Sequence, residues 1–372
     1  MRILVAPDKF KGSLGAVEAA AAIAAGLRDV LPAAEVTLLP IADGGEGTVE
    51  VICSAAVGRW CTCEVHDPLG RIVPARYCSI AGGATAVMEM SEASGLWRVS
   101  RGALDPNLAS SFGTGEMLLH AARGGAKKII VGLGGSATND GGFGMARALD
   151  YRFLDTSGRE LAGAVSDLLQ LARIEVPRER LDCEVIAAAD VRNPLLGERG
   201  ATRTFGPQKG ATPPQIEILE QALTRFADVI ACDLGFDFRD TPGAGAAGGL
   251  GFGLISFCAA RMRRGFDVVA ESIGLEAEVL AADVVMTGEG RLDAQTLEGK
   301  APAGVARMAR RLGKKVFAIV GDFDGATDIG SLFDGILAIK SPGLSLEEAM
   351  RDTALLLREK ARELARLLER RS

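Results

Sequence analysis

Short apolar runs alternate with stretches of helical periodicity near both ends of the chain. The apolar runs cover residues 3–5, 36–41, 284–286, 316–320 and 335–339. Between the first two, Leu14, Val17, Ala21 and Ala24 recur at helical spacing, and a helix is predicted over residues 301–312. Apolar strands that alternate with helices predict a parallel sheet covered on both faces.

The final helix opens with the capping-box pattern Ser345-Leu346-Glu347-Glu348. Its predicted apolar face carries Leu346, Met350, Leu357, Leu364 and Leu368. This helix is expected to pack against the sheet.

The middle of the chain differs from its ends. It is the region richest in glycine, and it mixes short predicted strands with helices of uneven length. We interpret residues 66–280 as a second α/β domain inserted into the first. The predicted fold is therefore α/β, with a Rossmann-like (flavodoxin-like) parallel-sheet domain made of residues 1–65 and 281–372.

Composition narrows the classes of protein. The 372 residues are 48% hydrophobic and 24% charged, which suits a globular chain of two domains. The net charge of −6 argues against nucleic acid as a partner. The most apolar stretch, residues 16–27, contains Glu18 and is shorter than the roughly 20 residues of a membrane span. No signal peptide is visible either. From the charge and the short apolar stretch together, neither nucleic acid nor a membrane is an expected partner.

Acidic residues follow the predicted strands repeatedly. These strand-end acids are Asp8, Asp43, Glu46, Asp140, Asp190, Glu289, Asp293 and Asp322. In open parallel sheets, ligands bind beyond the carboxyl ends of the strands. Phosphoryl transfer needs backbone N–H groups for phosphates, carboxylates for Mg²⁺ and cations to spread charge. The candidate cations are Lys9, Lys11, Lys209, Arg291 and Lys300.

Two glycine-rich stretches leave alternatives open. Gly132-x-Gly134-x-x-Ala137 lies between a predicted strand and a helix, as in a dinucleotide-binding loop. Gly243-x-Gly245-x-x-Gly248 has a similar spacing but follows Thr241-Pro242 rather than a strand. Close packing of small residues explains these glycines as well as ligand binding does. No Walker A motif is present. A nicotinamide-dependent hydroxy-acid oxidoreductase and a non-catalytic binding protein of two lobes therefore remain alternatives to a kinase.

Seven motifs nevertheless resemble one family, the type I glycerate kinases of bacteria (glycerate 2-kinases). They are residues 6–14 (APDKFKGSL), 42–48 (ADGGEGT), 134–142 (GGSATNDGG), 193–195 (NPL), 205–211 (FGPQKGA), 242–249 (PGAGAAGG) and 287–296 (TGEGRLDAQT). They occur in the family's order and cover nearly the whole chain. One departure is Ala189, where the family usually has Cys.

The resemblance implies an ATP-dependent kinase that phosphorylates D-glycerate, mainly at the 2-hydroxyl, giving 2-phosphoglycerate and ADP. A 3-phosphoglycerate product is the alternative. The resemblance also implies Mg²⁺, a cytoplasmic location, and two α/β domains with the active site between them. It leaves open whether the chain forms a homo-oligomer.

The site residues follow from the matching motifs as hypotheses. The catalytic candidates are Asp190 and Asp293, as proton acceptor or Mg²⁺ ligand, and Lys11 and Arg291, which would meet the glycerate carboxylate or a phosphate. The substrate-binding candidates are Asp8, Ser13, Ser136, Asn139 and Asp140. The ATP- and phosphate-binding candidates are Gly44, Gly45, Gly134, Gly135, Lys209 and Gly288. The metal-ligand candidates are Asp43, Glu46 and Glu289.

Overall fold

The computed structural model describes residues 1–293, 300–323, 325, 328–341 and 343–369. The chain divides into two compact units. The first unit comprises Met1–Asp43, Glu50–Ala55 and Arg264–Ser372, and the second comprises Gly44–Val49 and Ala56–Arg263. The second unit is thus largely an insertion in the first. The predicted α/β class, with a Rossmann-like domain and an inserted α/β domain, is confirmed.

The elements follow in chain order. The strands are β1 (Arg2–Val5), β2 (Glu35–Leu38), β3 (Arg59–His66), β4 (Ile72–Ile80), β5 (Thr85–Glu89), β6 (Lys128–Gly132), β7 (Arg152–Leu154), β8 (Arg173–Glu175), β9 (Glu184–Ala188), β10 (Arg261–Arg263), β11 (Val284–Thr287), β12 (Arg291–Leu292), β13 (Lys315–Val320), β14 (Asp322–Phe323) and β15 (Gly335–Ala338). The helices are α1 (Ala16–Val30), α2 (Thr48–Ala55), α3 (Ser91–Ser94), α4 (Phe112–Arg123), α5 (Phe143–Ala148), α6 (Ala201–Phe205), α7 (Pro213–Leu234), α8 (Ala246–Cys258), α9 (Gly265–Ser272), α10 (Leu275–Ala281), α11 (Ala301–Arg311), α12 (Leu346–Arg351) and α13 (Thr353–Glu369).

The first unit contains a five-stranded parallel sheet in the order β15-β13-β11-β1-β2. Strand β1 lies between β11 and β2, with Val5 opposite Met286 on one side and Leu38 on the other. Burial of the apolar runs on both faces favours this arrangement, and Ile3, Val5 and Met286 belong to one hydrophobic core. Both ends of the chain therefore contribute strands to a single sheet.

Helices α1 and α13 pack closely against each other in this unit. Gly26 faces α13, where a Cβ would overlap the carbonyl oxygen of Arg358 and lie 2.8 Å from the Cβ of Ala361. At the end of α1, Asp29 accepts hydrogen bonds from Arg358 at 2.8 Å and from Arg362 at 2.7 Å. A glycine at residue 26 is what allows this approach of the two helices.

The predicted capping box is present, because Ser345 Oγ accepts from the backbone of Glu348 at 3.2 Å while Glu348 Oε2 accepts from the backbone of Ser345 at 3.0 Å. The helix that it starts ends after six residues, and α13 begins at Thr353. Leu346 and Met350 are 68% and 37% exposed. Their predicted place on the buried face is wrong, because the interruption between α12 and α13 breaks the helical periodicity.

The second unit contains a six-stranded sheet in the order β10-β9-β6-β5-β4-β3. The pairs from β10 to β5 are parallel, and β4 and β3 form antiparallel pairs at one edge. Its core includes an aromatic cluster in which Phe143 and Phe153 meet edge to face, with ring centroids 4.9 Å apart. Such contacts contribute stability beyond simple burial.

The unit boundaries differ from the predicted ones at residues 65 and 280. Strand β3 pairs along its whole length with β4, so residues 59–65 belong to the second sheet. Helices α9 and α10 belong to the first unit. The sequence does not reveal either boundary, because a strand in an edge hairpin and two short helices show no change in hydrophobic pattern there. Over the described ranges, no helix combines the length and apolar character needed to cross a bilayer.

Candidate active site

In the first unit, predicted site residues meet at the ends of β1 and β11. These are neighbouring parallel strands, so the loops that follow them lie at the same edge of the sheet. The backbone N–H of Asp8 donates to the carbonyl of Gly288 at 2.8 Å, and Thr287 Oγ1 donates to the carbonyl of Ala6 at 2.8 Å. Asp8 and Glu289 are both buried. The structure therefore brings Asp8, Gly288 and Glu289 together, as the strand-end rule predicts.

Asp8 is the electrostatic centre of this group. Burial raises the pKa of Asp8 to about 8, and the negative charges of Asp43 and Glu289 add to the shift, while Lys9 opposes it. Several carboxylates close together cannot all stay ionised without a nearby cation. This edge of the sheet therefore favours binding of a cation.

The acid Asp293 lies between two cations. Its carboxylate is 3.6 Å from Lys300 Nζ and 3.7 Å from Arg291 Nε. Lys300 is also 3.7 Å from Glu289, so it links the loops before and after β12. Arg291 is 66% exposed, and its guanidinium can therefore meet an anion from solution. The last residues of the motif that carries Asp293, residues 294–296, lie outside the described residues.

Ser13 and Lys11 differ in their surroundings. Ser13 Oγ donates to the carbonyl of Met350 at 2.7 Å and lies 2.5 Å from Thr353 Oγ1. Its hydroxyl therefore ties the loop after β1 to the carboxyl-terminal helices, an alternative to the predicted contact with substrate. Lys11 is exposed, and its backbone N–H lies beside Gly290, where a Cβ would be 3.4 Å away.

In the second unit, the loop after β6 carries most of the other candidates. Gly44 and Gly45 belong to this unit and lie against the loop. A Cβ at Gly132 would be 2.9 Å from the carbonyl oxygen of Gly44, and one at Gly134 would be 2.8 Å from Gly45 Cα. These glycines allow two backbone segments to approach where side chains would separate them. Asp190 follows β9, which pairs with β6, so its loop lies at the same edge of the sheet.

Asp140 holds this loop to its neighbours. Its carboxylate accepts hydrogen bonds from Ser111 N at 2.9 Å, Ser111 Oγ at 2.7 Å, Gly142 N at 3.0 Å and Gly144 N at 3.0 Å. The residue is 1% exposed. These bonds use its oxygens to fix the start of α5, which is a structural role, and its contact with substrate stays a prediction.

Asn139 and Lys209 are buried beside the same loop. Asn139 Nδ2 donates to Thr202 Oγ1 at 2.9 Å, and its Oδ1 has no hydrogen-bond partner in the described part of the chain. Lys209 Nζ donates to Ser136 Oγ at 2.8 Å and to the carbonyl of Thr138 at 2.6 Å. Burial lowers the pKa of Lys209 to about 7, and the charge of Asp140 opposes this shift.

The glycines of residues 243–248 are explained by packing. Cβ atoms at Gly245 and Gly248 would overlap the carbonyl oxygens of Pro194 and Thr138. The interpretation of this stretch as a close-packing segment accounts for its glycines. The spacing Gly243-x-Gly245-x-x-Gly248 also matches a dinucleotide-binding pattern, but packing alone requires glycine at residues 245 and 248.

Glu89 is a candidate that the sequence reasoning missed. It ends β5, opposite Gly132 of β6, and its carboxylate accepts from the backbone of Val49 at 3.1 Å. The residue is 9% exposed. The signal, an acid at the end of an apolar run, is similar to that for Asp8, but the run of residues 85–88 is not among the strands predicted from the sequence.

The predicted carboxylate ligands can be compared with those that Mg²⁺ usually takes in proteins. Among the described residues, no three His, Cys, Asp or Glu side chains form a group that could hold a metal ion. Of the predicted ligands, Asp43 and Glu289 belong to the first unit and Glu46 to the second. Mg²⁺ commonly uses only one or two carboxylates, with water and substrate phosphates completing its octahedron. The carboxyl groups of Asp8, Asp43 and Glu289, whose charges act on one another, fit such a partial site.

Comparison with known proteins gives the class and then the family. The chain matches the model of the Glycerate kinase family over residues 3–369. It is 44% identical to a glycerate kinase of Bacillus subtilis (strain 168), over 98% of this chain and 97% of the relative. It is 42% identical to a glycerate 2-kinase of Escherichia coli (strain K12), over 94% of this chain and 93% of the relative.

A crystal structure designated glycerate kinase 2 from Salmonella typhimurium LT2 has the same fold. Its TM-score is 0.89 at 45% identity, over 99% of this chain and 98% of the solved chain. These matches make the protein an enzyme of the kinase class, and the oxidoreductase and binding-protein alternatives are set aside. The chain belongs to the glycerate kinase family.

Proposed function

We propose that this glycerate kinase transfers the γ-phosphoryl group of ATP to the 2-hydroxyl of D-glycerate, giving 2-phosphoglycerate and ADP with Mg²⁺ present. The observation that carries the proposal is the buried Asp8, surrounded by the charges of Asp43 and Glu289 at the ends of two parallel strands. Such a site favours a cation, and a nucleoside triphosphate such as ATP is present in cells as a Mg²⁺ complex. The name of the Escherichia coli relative supports the choice of the 2-hydroxyl.

The bond changes are those of an in-line displacement. The glycerate hydroxyl oxygen forms a bond to the γ-phosphorus, and the bond from that phosphorus to the bridging oxygen of ADP breaks. The hydroxyl proton passes to a carboxylate, for which Asp190 and Asp293 are the candidates. Arg291 and Lys11 are exposed cations suited to the glycerate carboxylate or to a phosphate.

The remaining candidates divide between phosphate and metal. Backbone N–H groups of Gly134, Gly135, Gly44 and Gly45, and of Gly288 in the first unit, would face phosphate oxygens. Asp43 and Glu289, both of the first unit, would hold Mg²⁺ together with water and phosphate oxygens, and the ion would neutralise charge on the phosphates. Glu46, which belongs to the second unit, stays a predicted ligand. The cytoplasmic location and any homo-oligomer stay predictions.

Phosphorus NMR of a reaction that contains the enzyme, Mg²⁺, ATP and D-glycerate tests this function. The expected product signal is that of 2-phosphoglycerate, with one ADP formed for each molecule of product. A 3-phosphoglycerate signal would contradict the assigned hydroxyl but leave the kinase activity standing. Unchanged ATP in the presence of D-glycerate would contradict the phosphoryl donor and overturn the proposal.

A further inference from the structure

Lys209 is a buried cation that lacks a directly bonded carboxylate. It is 2% exposed, and none of the described acidic groups lies within 4.0 Å of its Nζ. The charge of Asp140 acts on it, but the oxygens of Asp140 already accept four hydrogen bonds from Ser111, Gly142 and Gly144. Burying an ammonium group is costly unless its hydrogen bonds return the lost hydration. The hydrogen bonds that Lys209 makes therefore indicate what its burial serves.

Both hydrogen bonds of Lys209 go to one short segment. The acceptors are Ser136 Oγ and the carbonyl oxygen of Thr138, two residues apart in the loop between β6 and α5. When it is protonated, Lys209 Nζ has three N–H donors, so one of them then has no partner among the described residues. The side chain thus grips the loop at two points and retains the capacity for a third bond.

The same segment is held by contacts from other elements. Leu96 N donates to the carbonyl of Gly135 at 2.8 Å, and Ala137 N donates to the carbonyl of Ser94 at 3.0 Å. Backbone bonds therefore fix residues 135 and 137, while Lys209 fixes residues 136 and 138. Removing the ammonium would therefore release residues 136 and 138, while residues 135 and 137 stay held by their backbone hydrogen bonds.

We propose that Lys209 is a positioning residue, which holds Ser136 and Thr138 so that the N–H groups of Gly134 and Gly135 in the same loop face an anionic group of the substrates. The sequence-based prediction placed Lys209 directly on a phosphate, whereas its two bonds make it act through the loop. This inference rests on the proposed role of that loop in phosphate or substrate binding.

The test compares Lys209→Met with a matched control, Lys127→Met. The methionine keeps an unbranched chain of similar length and removes the donors, whereas the side chain of Lys127 is 76% exposed in the same unit. We expect Lys209→Met to raise the KM for ATP or for glycerate by about tenfold or more. We also expect faster hydrogen exchange at the amides of residues 134–139. Lys127→Met should change neither quantity.

The KM separates positioning from simple destabilisation. A variant that is only less stable contains less folded enzyme, which lowers the apparent kcat but leaves KM unchanged. An unchanged KM together with unchanged exchange would therefore overturn the proposal. A raised KM without faster exchange would overturn positioning and assign Lys209 a direct contact. Faster exchange with an unchanged KM would support positioning and contradict the proposed role of the loop.

A second variant decides the question if Lys209→Met does not fold. Ser136→Ala removes one acceptor and leaves the lysine in place. We expect the same two changes at smaller size, with KM raised severalfold and exchange faster in the same segment. Full retention of both wild-type values in Ser136→Ala would count against the proposal.

Discussion

The carbonyl oxygen of Thr138 lies against the backbone of Gly248, so close that a Cβ at residue 248 would overlap it. Gly248 also has a φ of 69°, in the left-handed region that glycine adopts readily. The same carbonyl accepts a hydrogen bond from Lys209 at 2.6 Å. One glycine therefore sets the position of a carbonyl on which the loop depends.

The change Gly248→Ala is expected to lower both stability and activity. The added methyl group combines backbone strain of about 1–2 kcal/mol with overpacking of about 1–3 kcal/mol. Urea denaturation measures the first effect, and the KM of the folded variant measures displacement of the loop. Gly102→Ala is the control, because nothing lies within 4 Å of a Cβ at that residue. Equal stability of the two variants would contradict the close approach.

Charge at the two proton-acceptor candidates is expected to matter for turnover. Asp190→Asn and Asp293→Asn keep the size of each side chain and remove the carboxylate. The variant that loses the base should lose about 100-fold or more in kcat, measured by coupled assay of ADP release. Asp182→Asn is the control, since Asp182 is fully exposed. Full turnover in both test variants would show that neither residue accepts the proton.

Stability is expected to fall as pH rises because of Asp8. Burial raises its folded pKa to about 8, with Asp43 contributing, against an ordinary value of 3.8. Between about pH 4 and pH 8, Asp8 is therefore protonated in the folded state and ionised in the unfolded chain. The stabilisation from protonated Asp8 is full below about pH 4 and is lost above about pH 8. Within that window the free energy of unfolding falls by up to about 1.4 kcal/mol per pH unit.

The variant Asp8→Asn tests this charge directly. It imitates the protonated carboxyl, so we expect it to be more stable than the wild type at pH 8 when chelator removes divalent cations. Kinase activity should meanwhile fall about tenfold or more, because a bound cation would displace the proton of Asp8 and draw on its negative charge, which an amide cannot supply. Urea midpoints at pH 5 and pH 8 provide the measurement. A variant less stable than the wild type at pH 8 would contradict the burial of a charged Asp8.

Packing between α1 and α13 is expected to affect stability alone. Gly26→Ala places a methyl group against the Arg358 carbonyl and Ala361, so the two helices must separate. We expect a loss of about 1–3 kcal/mol in the free energy of unfolding, with kcat/KM of the folded enzyme unchanged. Gly102→Ala again serves as control. A Gly26→Ala variant as stable as the wild type would show that the interface can adjust.

Local patterns predicted those parts of the fold and site that depend on neighbours in sequence. Asp8 and Glu289 lie two or three residues beyond the ends of apolar strands, and parallel pairing then brings their loops to one edge. The capping box at Ser345 is equally local. In each case the physical cause lies within a few residues, so composition and spacing reveal it.

Contacts between distant residues were beyond such reasoning. Ser13 bonds to Met350, 337 residues away, and its hydroxyl is thereby engaged. Asp140 depends on Ser111, and the burial of Lys209 depends on the fold around Ser136 and Thr138. A polar residue in a glycine-rich loop has the same local pattern whether it contacts a ligand or another loop.

The place of β1 between β2 and β11 has a consequence for synthesis on the ribosome. The second neighbour of β1 begins only at Val284, so β1, an interior strand of the first sheet, stays half paired until β11 has emerged. At about 5–20 residues per second, this delay is on the order of tens of seconds. During that time the apolar surfaces of β1 and α1 need a chaperone or transient contacts, while the inserted unit can already fold.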